Sequence, residues 1–368
     1  MVRGVTTPIP VLALVLLAGC AVATGLPAPQ QGSIDALFRD YTGAVPGASV
    51  IVIRDGRVLY EHAYGLANLN PPTPATPETD YRLASLTKEF TALSVMLLAK
   101  DGKLRYDEAI GYLLPGLPDR LRPLTVRQLL THTSGIWDYE DLIPDTQTTQ
   151  VSDADVLAMI SKKDTLYFQP GTKFQYSNTA YVLLGLIVER TSGMTFPRFL
   201  QERVFKPAGM ANTLLFEKGG PPVPTRAFGY TPDSAAPTAQ TFKATDQSVT
   251  SATRGDGGIY SSVLDLAKWS DALQGAQLLD QARLGEGFTS GRLADGTATG
   301  YGFGWYVDTF RGARRLWHHG ETSGFRNTIV RFPDLHAAVI VLSNRNGGDT
   351  GKIADQIAEL VFFPKGAP

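Results

Sequence analysis

The sequence predicts an α/β protein of the α+β kind, with one antiparallel β-sheet fed by both ends of the chain and helices between. Three observations predict it. Ala48-Ser-Val-Ile-Val-Ile53 and Val58-Leu-Tyr60 flank Arg54-Asp55-Gly56-Arg57, and an Asp-Gly pair between apolar runs marks a hairpin. Late in the chain come strand-like runs at Tyr301–Val307, Phe325–Phe332 and Ala337–Leu342. Between the two ends, apolar residues recur three and four apart, the spacing of a helix packed along one side.

The elements follow in order. Leu83, Leu86, Phe90, Leu93 and Leu97 form one apolar helical stripe, and Asp101-Gly102 stops it. Thr125 with Gln128 makes a capping box ahead of Leu129-Leu130. Asn178 to Arg190 reads as an apolar helix ending before Gly193. Ser262 with Asp265 makes a second capping box and opens a helix through Trp269. Arg315-Leu-Trp317 reads as a strand, and a helix over Lys352–Val361 closes the chain. Residues 105–260 carry most of the loops and little alternation. The expected organisation is a sheet subdomain from about 33–100 and 300–362, with a mostly helical subdomain from about 105–260.

Composition narrows the function. The chain has 368 residues, enough to bury a sizeable core. Its 43% hydrophobic and 19% charged residues separate it from disordered chains. A formal charge of −1 offers no basic surplus for nucleic acid. The single cysteine, Cys20, excludes an internal disulfide, a CxxC pair and a Cys-rich zinc site.

The N-terminus reads as a leader. Met1-Val-Arg3 is positive, Val11–Leu17 is apolar but too short to span a bilayer, and Leu17-Ala18-Gly19-Cys20 follows. That tetrapeptide resembles a bacterial lipobox, which implies a signal peptide over 1–19 and acylation of Cys20. Cleavage after Ala21-Val22-Ala23 is the rival reading. Residues 20–32 read as a Pro- and Gly-containing tether. The expected location is a bacterial cell-envelope membrane, held through Cys20.

Three clusters can carry chemistry. Ser85-Leu-Thr-Lys88 opens the first long helix, and its three-residue spacing puts a hydroxyl beside an amine. A serine becomes a nucleophile when a base takes its proton, and a lysine with a lowered pKa is such a base. Tyr176-Ser-Asn178 follows Pro170-Gly171 and opens a second helix; a phenol relays protons and an amide both donates and accepts. His318-His319-Gly320 follows a strand and precedes Glu321.

In this order the three resemble the serine β-lactamase and penicillin-binding protein superfamily, within it the class C-like branch of β-lactamases, esterases and D-amino-acid peptidases. Leu129-Leu-Thr-His-Thr-Ser-Gly135, Gly257-Gly-Ile-Tyr-Ser-Ser262 and Tyr301-Gly-Phe-Gly-Trp305 add to the resemblance, which covers residues 33–362. It implies an antiparallel sheet with helices on both faces, a helical domain, and a site between them. It implies Ser85 as acylated nucleophile, Lys88 as its base, Tyr176 as proton relay, and Asn178 as orienter of Lys88 and substrate. The backbone N–H groups of Ser85 and of Glu321, just after Gly320, would form the oxyanion hole. It calls for no metal and no cofactor. The substrate would be a small ester, amide or D-amino-acid peptide.

His318 is the departure, standing where many relatives carry the lysine of a Lys-Thr-Gly triplet. Imidazole titrates near 6.5 and lysine near 10.4, as approximate reference values. A neutral imidazole still donates a hydrogen bond but attracts a substrate carboxylate less, which disfavours β-lactams and leaves esters and peptides open. His132 reads as packing or holding a loop, since no second His or Cys lies at metal spacing, and His319 reads as structural. No G-x-S-x-G elbow occurs, against an α/β-hydrolase. Arg254-Gly-Asp256 reads as a turn. Tyr301 and Trp305 read equally as cleft lining or core. Three functions compete: an acyl hydrolase acting through Ser85, a β-lactamase or DD-carboxypeptidase, and a non-catalytic binding lipoprotein.

Overall fold

The Asp55-Gly56 pair turns the chain with positive φ at both residues, 51° and 70°, as a tight hairpin between right-twisted strands requires. It joins β1 (Ala48–Arg54) to β2 (Arg57–Tyr64). The computed structural model describes Met1 and residues 25–235 and 241–364, so the leader and Cys20 lie outside the described residues. Four late strands complete the sheet: β3 (Tyr306–Phe310), β4 (Ala313–Thr322), β5 (Phe325–Phe332) and β6 (Ala337–Ser343). The six strands run antiparallel in the order β3-β4-β5-β6-β1-β2. Both ends of the chain therefore build one sheet.

Helices cover both faces. The outer face packs on α1 (Ala28–Asp35) and on the final helix, Thr350–Phe362, through Val50, Val52, Val339, Val341, Ile353 and Ile357. The inner face packs on α2 (Thr87–Lys100) and a helix over Val263–Gln274 through Ile51, Ile340, Phe90 and Trp269. Central strands β1 and β6 are thus buried on both sides, which is why their sequences are unbroken apolar runs rather than alternating ones. Of the other helices, those used below are α3 (Val126–Leu130), α4 (Asp153–Ser161) and α5 (Asn178–Ser192), with the Val263–Gln274 helix as α6 and the final helix as α7. Among the described residues no helix is long and apolar enough to cross a membrane.

Several expectations shift. Residues 28–32 of the expected tether form the start of α1, because Pro at the first helical positions pre-sets φ and Ile34 is fully buried. Its Gln30 side chain bonds the Leu360 carbonyl on α7 at 3.2 Å. α2 is buried all round from Thr87 to Leu98 instead of along one stripe, since it runs through the middle of the molecule. Ser262 caps α6, but Asp265 does not return the bond; its carboxylate accepts from the Asn212 and Thr213 amides. The Thr125–Gln128 box forms in both directions. Tyr301–Trp305 precedes the strand rather than forming it. Gly304 there lies against the α2 backbone, where a Cβ would come within 2.8 Å of the Lys88 carbonyl.

Candidate active site

Ser85 sits in a single 3-10 turn, Ala84–Leu86, that feeds directly into α2. Between Tyr81 and Leu98 it is the one residue not fully buried. The turn is held from below, where the Leu83 N–H donates to the Ile259 carbonyl at 2.8 Å. Ala84 adopts φ +52°, a left-handed conformation costing about 1–2 kcal/mol for a residue with a Cβ. Strain directly before a reactive side chain is common where geometry matters more than local comfort.

Lys88 lies under Ser85 and is completely buried. Its Nζ is 3.1 Å from Ser85 Oγ, 2.7 Å from Asn178 Oδ1 and 3.0 Å from the Asp256 carbonyl oxygen. Burial pushes its pKa down to about 8, against weaker support for the cation from Asp256, Asp138 and Glu140. A neutral amine has two N–H bonds and one lone pair. The two carbonyl oxygens accept those N–H bonds, so the lone pair is left facing the serine hydroxyl. In that form the amine can take a proton from Ser85.

Asn178 begins α5 just past its Ser177 N-cap. Its backbone N–H donates to Asp138 Oδ2 at 2.5 Å, and its Nδ2 donates to Glu140 Oε1 at 3.1 Å. Those bonds fix the amide so that its oxygen faces Lys88. Asp256 is nearly buried, and Tyr139 donates to its carboxylate at 3.1 Å. Burial raises the pKa of Asp138, and burial with its acidic neighbours Asp138 and Asp256 raises that of Glu140 to about 7, although part of Glu140 remains exposed.

The Tyr176 hydroxyl is out of solvent and makes no hydrogen bond of good geometry, although Ser85 is near enough to moderate its acidity. Burial drives its pKa far above the usual phenol value, so it is a neutral phenol. The Lys88 Nζ lies 4.9 Å from its ring centre.

The β4 strand closes the other side. Its pairing with β3 stops at Trp317, so residues 318–322 continue along β5 with their second edge beside the serine turn. Gly320 touches that turn: a Cβ there would fall 2.0 Å from the Leu83 carbonyl. No side chain fits, and the close approach seats this stretch of β4 directly against the serine turn. The Glu321 side chain points outward, 64% exposed and 3.4 Å from Arg326.

His318 differs from the expectation of a free donor. Its Nδ1 is 2.6 Å from the His319 carbonyl, which can only accept, so Nδ1 carries the proton. Its Nε2 then accepts from Tyr301 Oη at 3.1 Å. Burial, then Lys88, lowers its pKa to about 3, and the neutral ring has no donor left for a substrate. His319 faces the opposite side of the sheet, bonds Thr328 at 2.9 Å, and lines a groove of about 670 Å³ that shares no residue with the Ser85 cluster.

The beta-lactamase family profile matches residues 34–362. The chain belongs to the beta-lactamase family. It is 32% identical to penicillin-binding protein 4* of Bacillus subtilis (strain 168) over 307 residues, 81% of this chain and 68% of that protein. It is 25% identical to protein flp of Staphylococcus aureus (strain COL) over 339 residues, 89% of this chain and 66% of that one. The chain spans about two thirds of the length of these two relatives. Among solved structures, the octameric penicillin-binding protein homologue from Pyrococcus abyssi superposes with TM-score 0.79 and 28% identity, covering 91% of this chain and 77% of that one. D-amino acid amidase from Ochrobactrum anthropi SV3 superposes with TM-score 0.77 and 25% identity, covering 91% and 99%. The family and its amidohydrolase neighbours make this protein a serine hydrolase of the β-lactamase and penicillin-binding type.

In this beta-lactamase family member, Ser85 and Lys88 from the serine turn and α2, Tyr176 and Asn178 from the start of α5, and His318 and Gly320 from β4 lie around one cleft, with the Glu321 side chain turned outward. The sequence reading gave Asp256 only a place in a turn and passed over its contribution, a carbonyl oxygen that leaves no mark in its side chain. It also passed over Asp138 and Glu140, and set His132 aside as structural. Tyr301 resolves to the site and Trp305 to the core, beside Phe288 and Arg331.

Proposed function

We propose that this protein hydrolyses small amides, esters or D-amino-acid peptides through an acyl-enzyme on Ser85. The single observation that carries the reading is the Lys88 amine, held between Ser85 Oγ and two carbonyl acceptors. Lys88 takes the hydroxyl proton as Oγ bonds the substrate carbonyl carbon. The oxyanion is met by the backbone N–H groups of Ser85 and Glu321. Tyr176 passes a proton to the departing amine or alkoxide, and water then attacks the acyl carbon and releases the acid.

Charge around the cleft favours this reading over a carboxylate-directed one. Asp138 and Glu140 border it, and His318 is neutral with no free donor. Such a rim repels a terminal carboxylate and attracts an ammonium. The likeness to a D-amino acid amidase agrees with it. The likeness to a penicillin-binding protein favours the second reading, a β-lactamase or DD-carboxypeptidase. We further propose export and lipid anchoring through Cys20, on the leader motif alone.

A fluorophosphonate probe tests the nucleophile, and a panel of D-amino-acid amides, p-nitrophenyl esters, D-Ala-D-Ala peptides and a cephalosporin tests the substrate. Labelling of Ser85 with preference for amides or esters supports the proposal. An unlabelled folded protein returns it to the binding-lipoprotein reading. Cephalosporin turnover rivalling the esters establishes the second reading.

A further inference from the structure

The loop 132–135 runs beside the chain that carries Tyr176, and His132 grips it at two points. The His132 carbonyl accepts from the Gln175 N–H at 3.0 Å. Its ring Nδ1 accepts from the Ser177 N–H at 3.1 Å. The residue between those amides is Tyr176. The imidazole also lies against the Tyr176 ring, with centroids 4.4 Å apart and planes at 35°.

This arrangement costs stability. His132 has φ +55°, and its ring is 1% exposed. Because Nδ1 accepts, the proton sits on Nε2, which has no hydrogen-bond partner. A buried donor left unpaired is expensive, and a left-handed residue with a Cβ adds to it. Burial, then Lys88 and His318, keep the ring neutral, the form that can accept from Ser177. An apolar side chain would fill the space without the orphaned donor, but would release the Ser177 amide.

We propose that His132 is a positioning residue that holds the Tyr176 hydroxyl in line with Ser85, by clamping the backbone on both sides of it. The inference rests on the reading of Ser85 and Tyr176 as catalytic. The aromatic rings of Tyr181 and Tyr301, 5.0 Å and 4.7 Å from the imidazole, close the pocket that fixes its orientation.

The test uses the full chain and the best ester substrate. His132→Leu should lower kcat roughly 10- to 100-fold, the scale expected of a misplaced reacting group, with KM changed less than about threefold. On a Tyr176→Phe background the same substitution should add less than about twofold, because both changes remove one function. His132→Asn, which keeps an acceptor near the Nδ1 position and tolerates a positive φ, should retain more kcat than His132→Gln, whose acceptor is displaced outward. The Asn and Gln pair decides the matter if the Leu variant does not fold. A Leu variant with unchanged kcat, a double variant that falls by the product of the single effects, or Asn and Gln variants of equal kcat would each overturn the proposal. Fluorophosphonate labelling of Ser85 in the wild type separates these failures from a failure of the catalytic reading itself.

Discussion

Lys88 gives the sharpest test of the chemistry, because one property should appear in both rate and stability. Its ammonium is buried and its pKa falls from 10.5 to about 8. At pH 7 roughly a tenth of the molecules then carry the free amine, about 300-fold more than for an unperturbed lysine. Acylation by a neutral ester should therefore rise about tenfold per pH unit below 8, and level off above it. The stability sign runs the same way. Between the folded value near 8 and the unfolded value near 10.5, the unfolded chain binds the extra proton, so stability rises with pH across that window. Below pH 8 the burial costs a constant amount, on the order of 3 kcal/mol. Lys88→Met removes this titration but strands the Asn178 and Asp256 oxygens, so the absolute difference mixes two effects. Its pH dependence does not. Wild type should gain about 1 kcal/mol relative to Lys88→Met between pH 7 and 9, measured by urea denaturation at each pH, while the variant loses acylation at every pH. A wild-type rate that is flat from pH 6 to 9, or a parallel pH course of stability in the two proteins, would refute the assignment of Lys88 as base.

The other predictions concern the nucleophile, the rim and the anchor. Ser85→Ala should abolish turnover and fluorophosphonate labelling while leaving the thermal midpoint within a few degrees, read by differential scanning calorimetry. Glu140→Gln removes a charge that supports the Lys88 cation, so the acid limb of the rate profile should move to lower pH; KM for an ammonium-bearing amide should rise, and KM for a neutral ester should not. His318→Lys, with Tyr301→Phe to remove the competing hydroxyl, should raise carboxylate-bearing substrates relative to neutral esters by roughly tenfold, the scale of one added charge-assisted contact; an unchanged ratio in competition assays counts against the charge argument. Cys20→Ser should shift the protein from the membrane to the soluble fraction and abolish incorporation of a labelled fatty acid.

What the sequence disclosed, and what it withheld, divides along a physical line. Local rules were readable: Asp55-Gly56 needs two positive φ values, Thr125 and Gln128 cap one another, and Ser85 and Lys88 meet because three residues close one helical turn. The Ser85, Tyr176 and His318 clusters were readable because their order and spacing resemble a family, although they lie far apart in the chain. The rest of the site depends on groups whose roles exist only after folding. Asp256 offers Lys88 a backbone oxygen that any residue could supply, so the identity of its side chain says nothing. Asp138 and Glu140 matter because α5 starts beside them. His318 would be a donor in isolation; Tyr301 and the His319 carbonyl turn it into a saturated, neutral ring. The same logic explains His132. The sequence shows no second ligand at metal spacing, and only the fold places Gln175 and Ser177 against it. In this site side-chain identity sets which reaction is available, and long-range backbone contacts set whether the reacting atoms meet.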